Sequence, residues 1–591
     1  MTPTLTAEQA VALVQPGDRV WVGSACATPR TLVAALNALR LPGVKLVHFL
    51  ADGVSVDGQV VYPQEVFFVG SELRGLAGPV DYLPVSLPEL PSLIARGQHR
   101  VDVALVQVAP PDADGLCSLG VSVDVTRAAA LHARTVLAEV NPAMPRTGPT
   151  SSIPVDRIAA FVDVEPTLQE YVHPPAGPAA EQIAAYVARL VPDSATLQLG
   201  LGRITDDVLR HLSGRRDLRV HSDMVTDGLV DLLDSGVVRP GPGSVVASMA
   251  VGTARLFDRI AADAIALEPL EHVCSLRRLH EIERFVSVTQ AFAVDLSGQV
   301  CTDTDDGERY GGVASQSLMH WMAAHSGGGR AVVCLASTFP DGRSRLRLAL
   351  RPDEAATIGR ADVHYVVTEY GAAYLFGRSL RERAVALIEV AHPSAREALL
   401  AEAVAAGLVP AGQSLRSRGA YPGEEERVVT LSDGASVLVR PARTGDAPAL
   451  QDLFYRMPPA DVYTRFFRHL TTLPLSTAEH LTSVSFEEEV TFLAVVGDWG
   501  AERVVGTVSY FLDPTSGHAD VAFMVDPQWK GRGLGSALRD VVVDAARRRG
   551  VMALTADVLV DNRAMLQVFR ASGLPLTARS SHGVTEIVLT L

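Results

Sequence analysis

The sequence is poor in cysteine, and its few are spaced for neither a disulfide scaffold nor a metal site. There are 5 in 591 residues, Cys26, Cys117, Cys274, Cys301 and Cys334. The count is odd and no two form a C-x-x-C pair, which excludes a small disulfide-stapled fold and makes a reducing cytoplasm the expected location. No His/Cys/carboxylate cluster has metal-ligand spacing, so no metal is expected. An excess of positive charge is missing too: 52 Lys and Arg stand against 67 Asp and Glu, a net −15. That argues against a nucleic-acid surface, because phosphate backbones are bound by clustered cations. Anionic cofactors stay open, since helix N-termini and glycine loops hold phosphates through backbone N–H groups. No run approaches the ~18 apolar residues, free of charge, Gly and Pro, that a spanning helix requires. Residues 1–10 have neither the basic nor the apolar region of a secretory leader. A soluble protein with no membrane partner is expected. Short repeats and low-complexity tracts are absent as well.

What is present is apolar mass. Hydrophobic residues make up 48% of the chain and charged residues 20%, enough to bury large cores. At roughly 150 residues per domain, three or four folding units are predicted. Short β-branched and aliphatic runs (Arg19–Val22, Val44–Phe49, Val103–Val108, Thr135–Val140, Ala331–Leu335) alternate with helical patterns. This predicts parallel sheets covered on both faces, an α/β fold. Thr6 and Gln9 form a capping box for a helix expected to run through Val14 and stop at Gly17. The polar, Pro-containing stretch His173–Ala179 precedes a helix over Glu181–Leu190 and sets an internal boundary near residue 180. A second linker, Ala411–Arg427, carries Gly412, Gly419, Pro422, Gly423 and three successive glutamates. Beyond it the strand-like run Ala435–Arg440 opens another α/β pattern that continues to Leu591.

The clearest chemical motif is Lys530-Gly531-Arg532-Gly533-Leu534-Gly535, between a strand over Ala519–Val525 and a helix. That helix has an apolar face of Leu538, Val541, Val542, Ala545 and Ala546. Arg539, Asp540, Asp544, Arg547 and Arg548 are expected outward, and Gly550 stands where a left-handed cap belongs. A glycine loop there presents several N–H groups at the positive end of the helix dipole, which suits a pyrophosphate. By itself the loop serves equally a turn that needs glycine only for its geometry. Around it, in order, come Val439–Asp446 (V-R-P-A-R-T-G-D), His518–Val525, Asp561-Asn562-Arg563-Ala564-Met565 and Ser572-Gly573-Leu574. Together they resemble the GNAT fold over residues 427–591, in particular the GNAT modules of bacterial protein lysine acetyltransferases. The resemblance implies that Lys530–Gly535 bind the pyrophosphate of acetyl-CoA. It also implies that the backbone of strand 519–525 receives the acetyl carbonyl and pantetheine arm, and that Asn562 lies beside the thioester. An amine with a pKa of about 10 must lose a proton before it attacks, so a carboxylate within reach is useful. Asp520, in Ala519-Asp520-Val521-Ala522, stands where this subfamily carries a glutamate, which makes it the implied base. A solvated strand-edge aspartate is the alternative. Phe569 replaces a tyrosine that in many such enzymes protonates the leaving thiolate.

The N-terminal part carries Val22–Pro29 (V-G-S-A-C-A-T-P), Asp102–Asp124, Glu139–Thr147 (E-V-N-P-A-M-P-R-T), Val367-Thr368-Glu369-Tyr370-Gly371, Ser379–Ala384 and Ala391-His392-Pro393. These strings resemble the acetyl-CoA hydrolase/CoA-transferase family, related to 4-hydroxybutyrate CoA-transferase, over residues 5–415. The resemblance implies two open α/β subdomains, 1–180 and 181–412, with the active site between them and a dimer as the family habit. Active members use a glutamate that attacks the acyl-CoA thioester, and covalent catalysis of this kind splits a hard exchange into easier steps. Its H-[ST]-E-M string reads His221-Ser222-Asp223-Met224 here, after the glycine loop Leu199-Gly200-Leu201-Gly202-Arg203. The nucleophile position therefore holds Asp223. A carboxylate withdrawn by roughly an ångström can lose ~10²-fold in rate. The family's G-G-Q-x-D-F-x-R-G-A segment has also changed: Ala314-Ser315 replace Gly-Gly, and Leu318–Met322 replace the Asp-Phe and Arg-Gly pairs. Ala293 stands where a carboxylate is common. Side chains in such a loop are expected to crowd the CoA site. His221 reads as a structural hydrogen-bonding residue and Cys117 as a packed small side chain, while Glu369 suits either cleft support or a buried ion pair.

The function expected is acetyl-CoA-dependent N-acetylation of a protein lysine or small amine, beside a body that binds CoA species and is catalytically weakened. The alternative is an active hydrolase or CoA-transferase using Asp223 and a short carboxylic acid, with the GNAT domain regulatory. A CoA-responsive binding protein without turnover is the third reading.

Overall fold

The computed structural model describes residues 2–591 apart from 77, 173–176, 201, 263, 412–421, 444–445, 483–487, 498–501 and 514. Most of the linker expected over Ala411–Arg427, and part of that over His173–Ala179, lies outside the described residues. The chain falls into two units, Met1–Gly377 and Arg378–Leu591.

Seven parallel strands of the first unit form one sheet. They are β1 (Arg19–Val22), β2 (Lys45–His48), β3 (Gln64–Val66), β4 (Val80–Tyr82), β5 (Val103–Val108), β6 (Thr135–Val140) and β7 (Ala160–Asp163). Their order is β7-β6-β5-β1-β2-β3-β4, with every pairing parallel. All six residues of β5 are buried, as a strand covered on both faces requires. Leu32 and Leu36, from the helix Arg30–Leu39, pack on Val20, Val22, Leu46 and Leu105, each fully buried side chain contributing about 1.5–3 kcal/mol. The capping box of Thr6 and Gln9 is present, but the helix α1 (Ala7–Val11) ends three residues before the expected Val14. Past Val11 the bonds tighten to i→i+3, Leu13 N to Ala10 O and Val14 N to Val11 O, because Pro16 denies the preceding residue helical geometry.

A second sheet in the same unit holds β8 (Thr196–Leu199), β9 (Arg219–His221), β10 (Val245–Ala247), β11 (Ala266–Leu267), β12 (Phe285–Gln290), β13 (Arg330–Cys334), β14 (Tyr365–Thr368) and β15 (Gly371–Tyr374). Its order is β11-β10-β9-β8-β12-β13-β14-β15, parallel except for the last hairpin. The strand order reverses between β8 and β12, so a switch-point crevice, where ligands of open α/β sheets bind, opens at the carboxyl ends of those two strands. The helix expected over Glu181–Leu190 is α2 (Pro178–Arg189). After β8 comes α3 (Arg203–Arg210), and before β13 comes α4 (Gln316–His325).

The second unit begins with the helices Leu380–Glu389 and Pro393–Ala405, the first capped by Ser379 and Glu382. Its sheet contains β16 (Arg427–Thr430), β17 (Ser436–Pro441), β18 (Glu489–Val496), β19 (Arg503–Asp513), β20 (His518–Val525), β21 (Ala553–Leu559), β22 (Leu576–Ser581) and β23 (Val584–Thr590). The order β16-β17-β18-β19-β20-β21-β23-β22 is antiparallel except between β20 and β21. Three helices frame the site: α5 (Pro459–Phe466), α6 (Leu534–Arg548) and α7 (Arg563–Arg570). Leu538, Val541, Val542, Ala545 and Ala546 of α6 are buried in the core, and Gly550 takes the left-handed cap at φ +73. Arg539 departs from the expected outward face. It is buried, and its guanidinium is held by the Val568 carbonyl and Asp540. Among the described residues no helix is long and apolar enough to cross a membrane.

Candidate functional site

In the second unit the site begins where two strands part. β20 and β21 pair only at His518↔Ala553, Ala519↔Leu554 and Asp520↔Thr555, although both run on, to Val525 and Leu559. On its other side β20 stays paired with β19 as far as Val525↔Gly506. The peptide groups of Val521–Val525 that face β21 therefore have no strand partner there. Into this gap opens a cavity of ≈ 640 Å³, walled by Val521–Val525, Ala556–Val558, the glycine loop, α5 and α7.

The loop is fixed at its base by Asp526, which accepts from Arg456 Nε and Arg503 Nη2, both at 2.9 Å, and from Gln528 N at 3.0 Å. Gly531 and Gly533 have φ of +73 and +89, left-handed values that an L side chain rarely adopts. That conformation turns the chain straight into the 15-residue α6 with Gly533 as its N-cap, and so aims free N–H groups at the cavity mouth. Lys530, Gly531, Gly533, Leu534 and Gly535 all line the cavity. Arg532 pairs with Asp433 and stacks on Trp529 at 4.3 Å. Asn562 caps α7, its side-chain oxygen accepting from Met565 N at 3.2 Å, and it lines the cavity too. Phe569 is buried, with its ring edge-to-face against Phe523 at 5.9 Å, and offers no proton.

Asp520 occupies the last paired position of β20, one residue before the cavity wall begins. Its side chain is exposed, yet partial desolvation raises its carboxyl above the usual range, Arg465 opposing and Asp557 adding to the shift. A raised pKa makes a stronger base, provided the group is ionised.

The first unit presents a closed arrangement. Gly200 directly follows β8, and Gly202 is the N-cap of α3; Leu201 lies outside the described residues. Thr205 Oγ1 donates to the carbonyls of both glycines, at 2.6 and 2.7 Å, which ties the loop to α3. Asp223 follows β9 and is buried. Gln198 Nε2 and Ser222 Oγ donate to its Oδ1, each at 3.3 Å, and Ser315 Oγ donates to its Oδ2. Burial raises its carboxyl, and the hydrogen bonds from Ser315, Gln198 and Ser222 oppose that rise. Ser315 is held there through its chain neighbours: Leu87 N donates to Ala314 O at 2.9 Å, and Val69 bridges Gly311. Ala314 keeps a left-handed φ of +45, where glycine would be relaxed. Beneath lies a chamber of ≈ 20 Å³ bordered by Gly200, Asp206 and Ser222, about the space of one water. His221 bonds the Val273 carbonyl at 2.6 Å through Nε2, and burial lowers its pKa. Glu369 accepts from the N–H and hydroxyl of Ser337. All five cysteines are free and buried, and the Cys117 thiol is pushed up to about 11, chiefly by burial.

Sequence reasoning missed Asp461, Thr464 and Arg465 on α5, all of which line the cavity. The available signal was Pro458-Pro459, a helix start, followed by polar residues on one side of a short amphipathic segment.

Two largely parallel sheets with a carboxylate buried beyond the end of β9, and a split sheet carrying a glycine loop, agree with a CoA-using acyltransferase. The chain belongs to the acetyl-CoA hydrolase/transferase family and carries a C-terminal GNAT domain. The family's N-terminal domain matches residues 3–166, its C-terminal domain residues 252–403, and the acetyltransferase (GNAT) family residues 450–574. The chain is 38% identical over 413 residues to a 4-hydroxybutyrate coenzyme A transferase of Clostridium kluyveri, covering 67% of this chain and 96% of that protein. The crystal structure of RipA from Yersinia pestis superposes with a TM-score of 0.63 at 29% identity, covering 69% of this chain and 98% of that one. An acetyltransferase of Pseudomonas aeruginosa is 28% identical over 146 residues, 25% of this chain and 78% of its own length.

Proposed function

We propose that this chain is an acetyl-CoA-dependent N-acetyltransferase acting on a primary amine, a protein lysine or a small molecule. Its CoA-transferase-family body, residues 1–180 and 181–412, binds CoA species with its transfer chemistry blunted, and residues 427–591 carry the acetyl transfer. The observation behind this reading is the contrast between the sites. The C-terminal cavity is open beside the glycine loop, whereas the Asp223 carboxylate is buried and hydrogen-bonded on both oxygens. The five free, buried cysteines support work in the cytoplasm.

In this mechanism the CoA pyrophosphate rests on the N–H groups of the loop with Lys530 beside it. Pantetheine follows the free edge of β20, near the Asn562 amide. A peptide N–H of that edge polarises the thioester carbonyl and steadies the oxyanion as the amine attacks. Asp520 takes the amine proton, directly or through one water. The tetrahedral intermediate then expels the thiolate, which solvent protonates because Phe569 has no proton to give.

The test is a paired assay on the full chain with acetyl-labelled acetyl-CoA. One arm adds amines and protein acceptors, the other acetate. Label should pass to amines, and Gly533→Val, a β-branched residue at φ +89, should abolish that transfer. Amine labelling untouched by the substitution would refute the assignment.

A second reading has one observation in its favour, that Asp223 keeps a carboxylate at the carboxyl end of β9. In it Asp223 is the nucleophile of an active transferase and the C-terminal domain is regulatory. It requires an aspartyl adduct, trappable with hydroxylamine during turnover; without one the reading fails.

A further inference from the structure

This inference rests on the C-terminal cavity being a CoA site, and it concerns what holds the phosphate loop in the absence of ligand. Both cations of the loop are already engaged by carboxylates. Arg532 pairs with Asp433, outside the cavity wall. Lys530 Nζ lies 2.6 Å from Asp461 Oδ1, and both of these residues line the cavity. Asp461 sits in the first turn of α5, where its N–H donates to Pro458 O at 2.9 Å and its carbonyl accepts from Thr464 Oγ1 at 2.8 Å. The same helix carries Thr464 and Arg465 on the cavity wall. To an ammonium group a carboxylate and a phosphate offer the same thing, anionic oxygens at hydrogen-bond distance. The Asp461 carboxylate therefore stands where a phosphate oxygen would otherwise meet Lys530.

We propose that Asp461 is an internal ligand of the empty phosphate loop, displaced by the CoA pyrophosphate, so that loading the cofactor releases the helix that bears Thr464 and Arg465. An ion pair between partly exposed partners is weak, so a polyanion can displace it. The Arg532–Asp433 pair lies off the wall and stays in place. Loading at the loop is thereby felt on α5, a part of the cavity wall that does not itself belong to the loop.

The test is calorimetric titration of the full chain with CoA and with phosphate-free S-acetylpantetheine. It compares wild type, Asp461→Asn, Lys530→Gln and the double variant. Asn keeps the size of Asp, and the backbone bonds of Asp461 do not involve the side chain, so the fold is retained. Asp461→Asn should tighten CoA binding roughly two- to fivefold and leave S-acetylpantetheine unchanged. In the Lys530→Gln background that gain should vanish. Any CoA bound by the N-terminal body contributes equally to all four and cancels in the cycle. An equal gain in both backgrounds would mean simple charge repulsion and overturn the proposal, as would unchanged or weaker binding in Asp461→Asn. CoA binding indifferent to both Lys530→Gln and Gly533→Val would instead overturn the reading of the cavity. Amide exchange over residues 459–466 gives a second readout: CoA should accelerate it in wild type, and Asp461→Asn should exchange faster without CoA. Identical exchange in the two unliganded proteins would also overturn the proposal.

Discussion

If Ser315 holds the Asp223 carboxylate shut, lengthening that carboxylate alone must harm the protein, and Ser315→Gly must relieve part of that harm. The hydroxyl of Ser315 is already in hydrogen-bond contact with Asp223 Oδ2, while Gln198 and Ser222 approach Oδ1 at 3.3 Å. Both Asp223 and Ser315 are buried, so an added methylene has nowhere to go. Asp223→Glu pushes the carboxylate about 1 Å into these donors, and overpacking of that kind costs about 1–3 kcal/mol. Ser315→Gly alone removes a donor from a buried carboxylate and costs about 1–3 kcal/mol. Combined, the two should cost less than their sum, because the hydroxymethyl group removed makes room for the methylene added, with a coupling of about 1–3 kcal/mol. By the family's chemistry the longer carboxylate also regains its reach, so CoA exchange should rise by up to ~10²-fold over wild type. The assay is label exchange between acetyl-CoA and acetate on the full chain, with hydroxylamine trapping of the acyl adduct and urea unfolding of each variant. If Asp223→Glu alone proved as stable as wild type and exchanged as fast as the double variant, Ser315 would not be the block and the reasoning would fail.

Two further outcomes follow from the carboxylates. Asp520→Asn should lower kcat for amine acetylation by about 10²–10⁴-fold with little change in KM for acetyl-CoA. A base must be ionised to act, so the wild-type kcat/KM profile should bend at the raised pKa of Asp520, below the rise set by the amine's own ionisation; the same bend surviving in the variant would place the base elsewhere. In the first unit, burial raises the carboxyls of Asp124, Glu139 and Asp223 above their unfolded values. The folded state then binds more protons than the unfolded one above pH ~4, and stability falls as pH rises through the folded pKa values. Asp124→Asn keeps an oxygen for the Thr126 N–H and hydroxyl, which now donate at 2.7 and 2.8 Å, and it suits the left-handed φ of +26. It should therefore stabilise the protein at pH 7 relative to wild type, with the gain vanishing near pH 4. A gain independent of pH in urea unfolding would show that the Asp124 charge is not the cause.

The strands of the body were legible because a strand buried on both faces has to be apolar throughout. Arg19–Val22, Val103–Val108 and Thr135–Val140 were read at the bounds the structure gives them. The glycine loop was legible for a related reason: left-handed turns at Gly531 and Gly533 leave a mark in the sequence that a side chain would erase. Arg539 was misread because its neighbours on α6 are charged and the partner it needs, the Val568 carbonyl, comes from α7. Long side chains bury their stems wherever a distant acceptor waits, and helical periodicity carries no record of that acceptor.

The contacts that decide the state of each site share this property. Ser315 meets Asp223 across 92 residues, and Lys530 meets Asp461 from a different element. Neither pair has a spacing or a motif. Each partner is unreadable singly: by the family resemblance Asp223 is only a shorter carboxylate, and Ser315 only a side chain in a loop. Brought together by the fold the two side chains share one space, the Ser315 hydroxyl packing beside the Asp223 carboxylate and hydrogen-bonding it. Without the Ser315 hydroxyl the buried Asp223 carboxylate would face a cavity and lose a donor, each costly in a close-packed interior. Filling that space makes the closed site a stable arrangement in its own right, so Asp223→Glu and Ser315→Gly should each be penalised singly and the pair tolerated better than their sum.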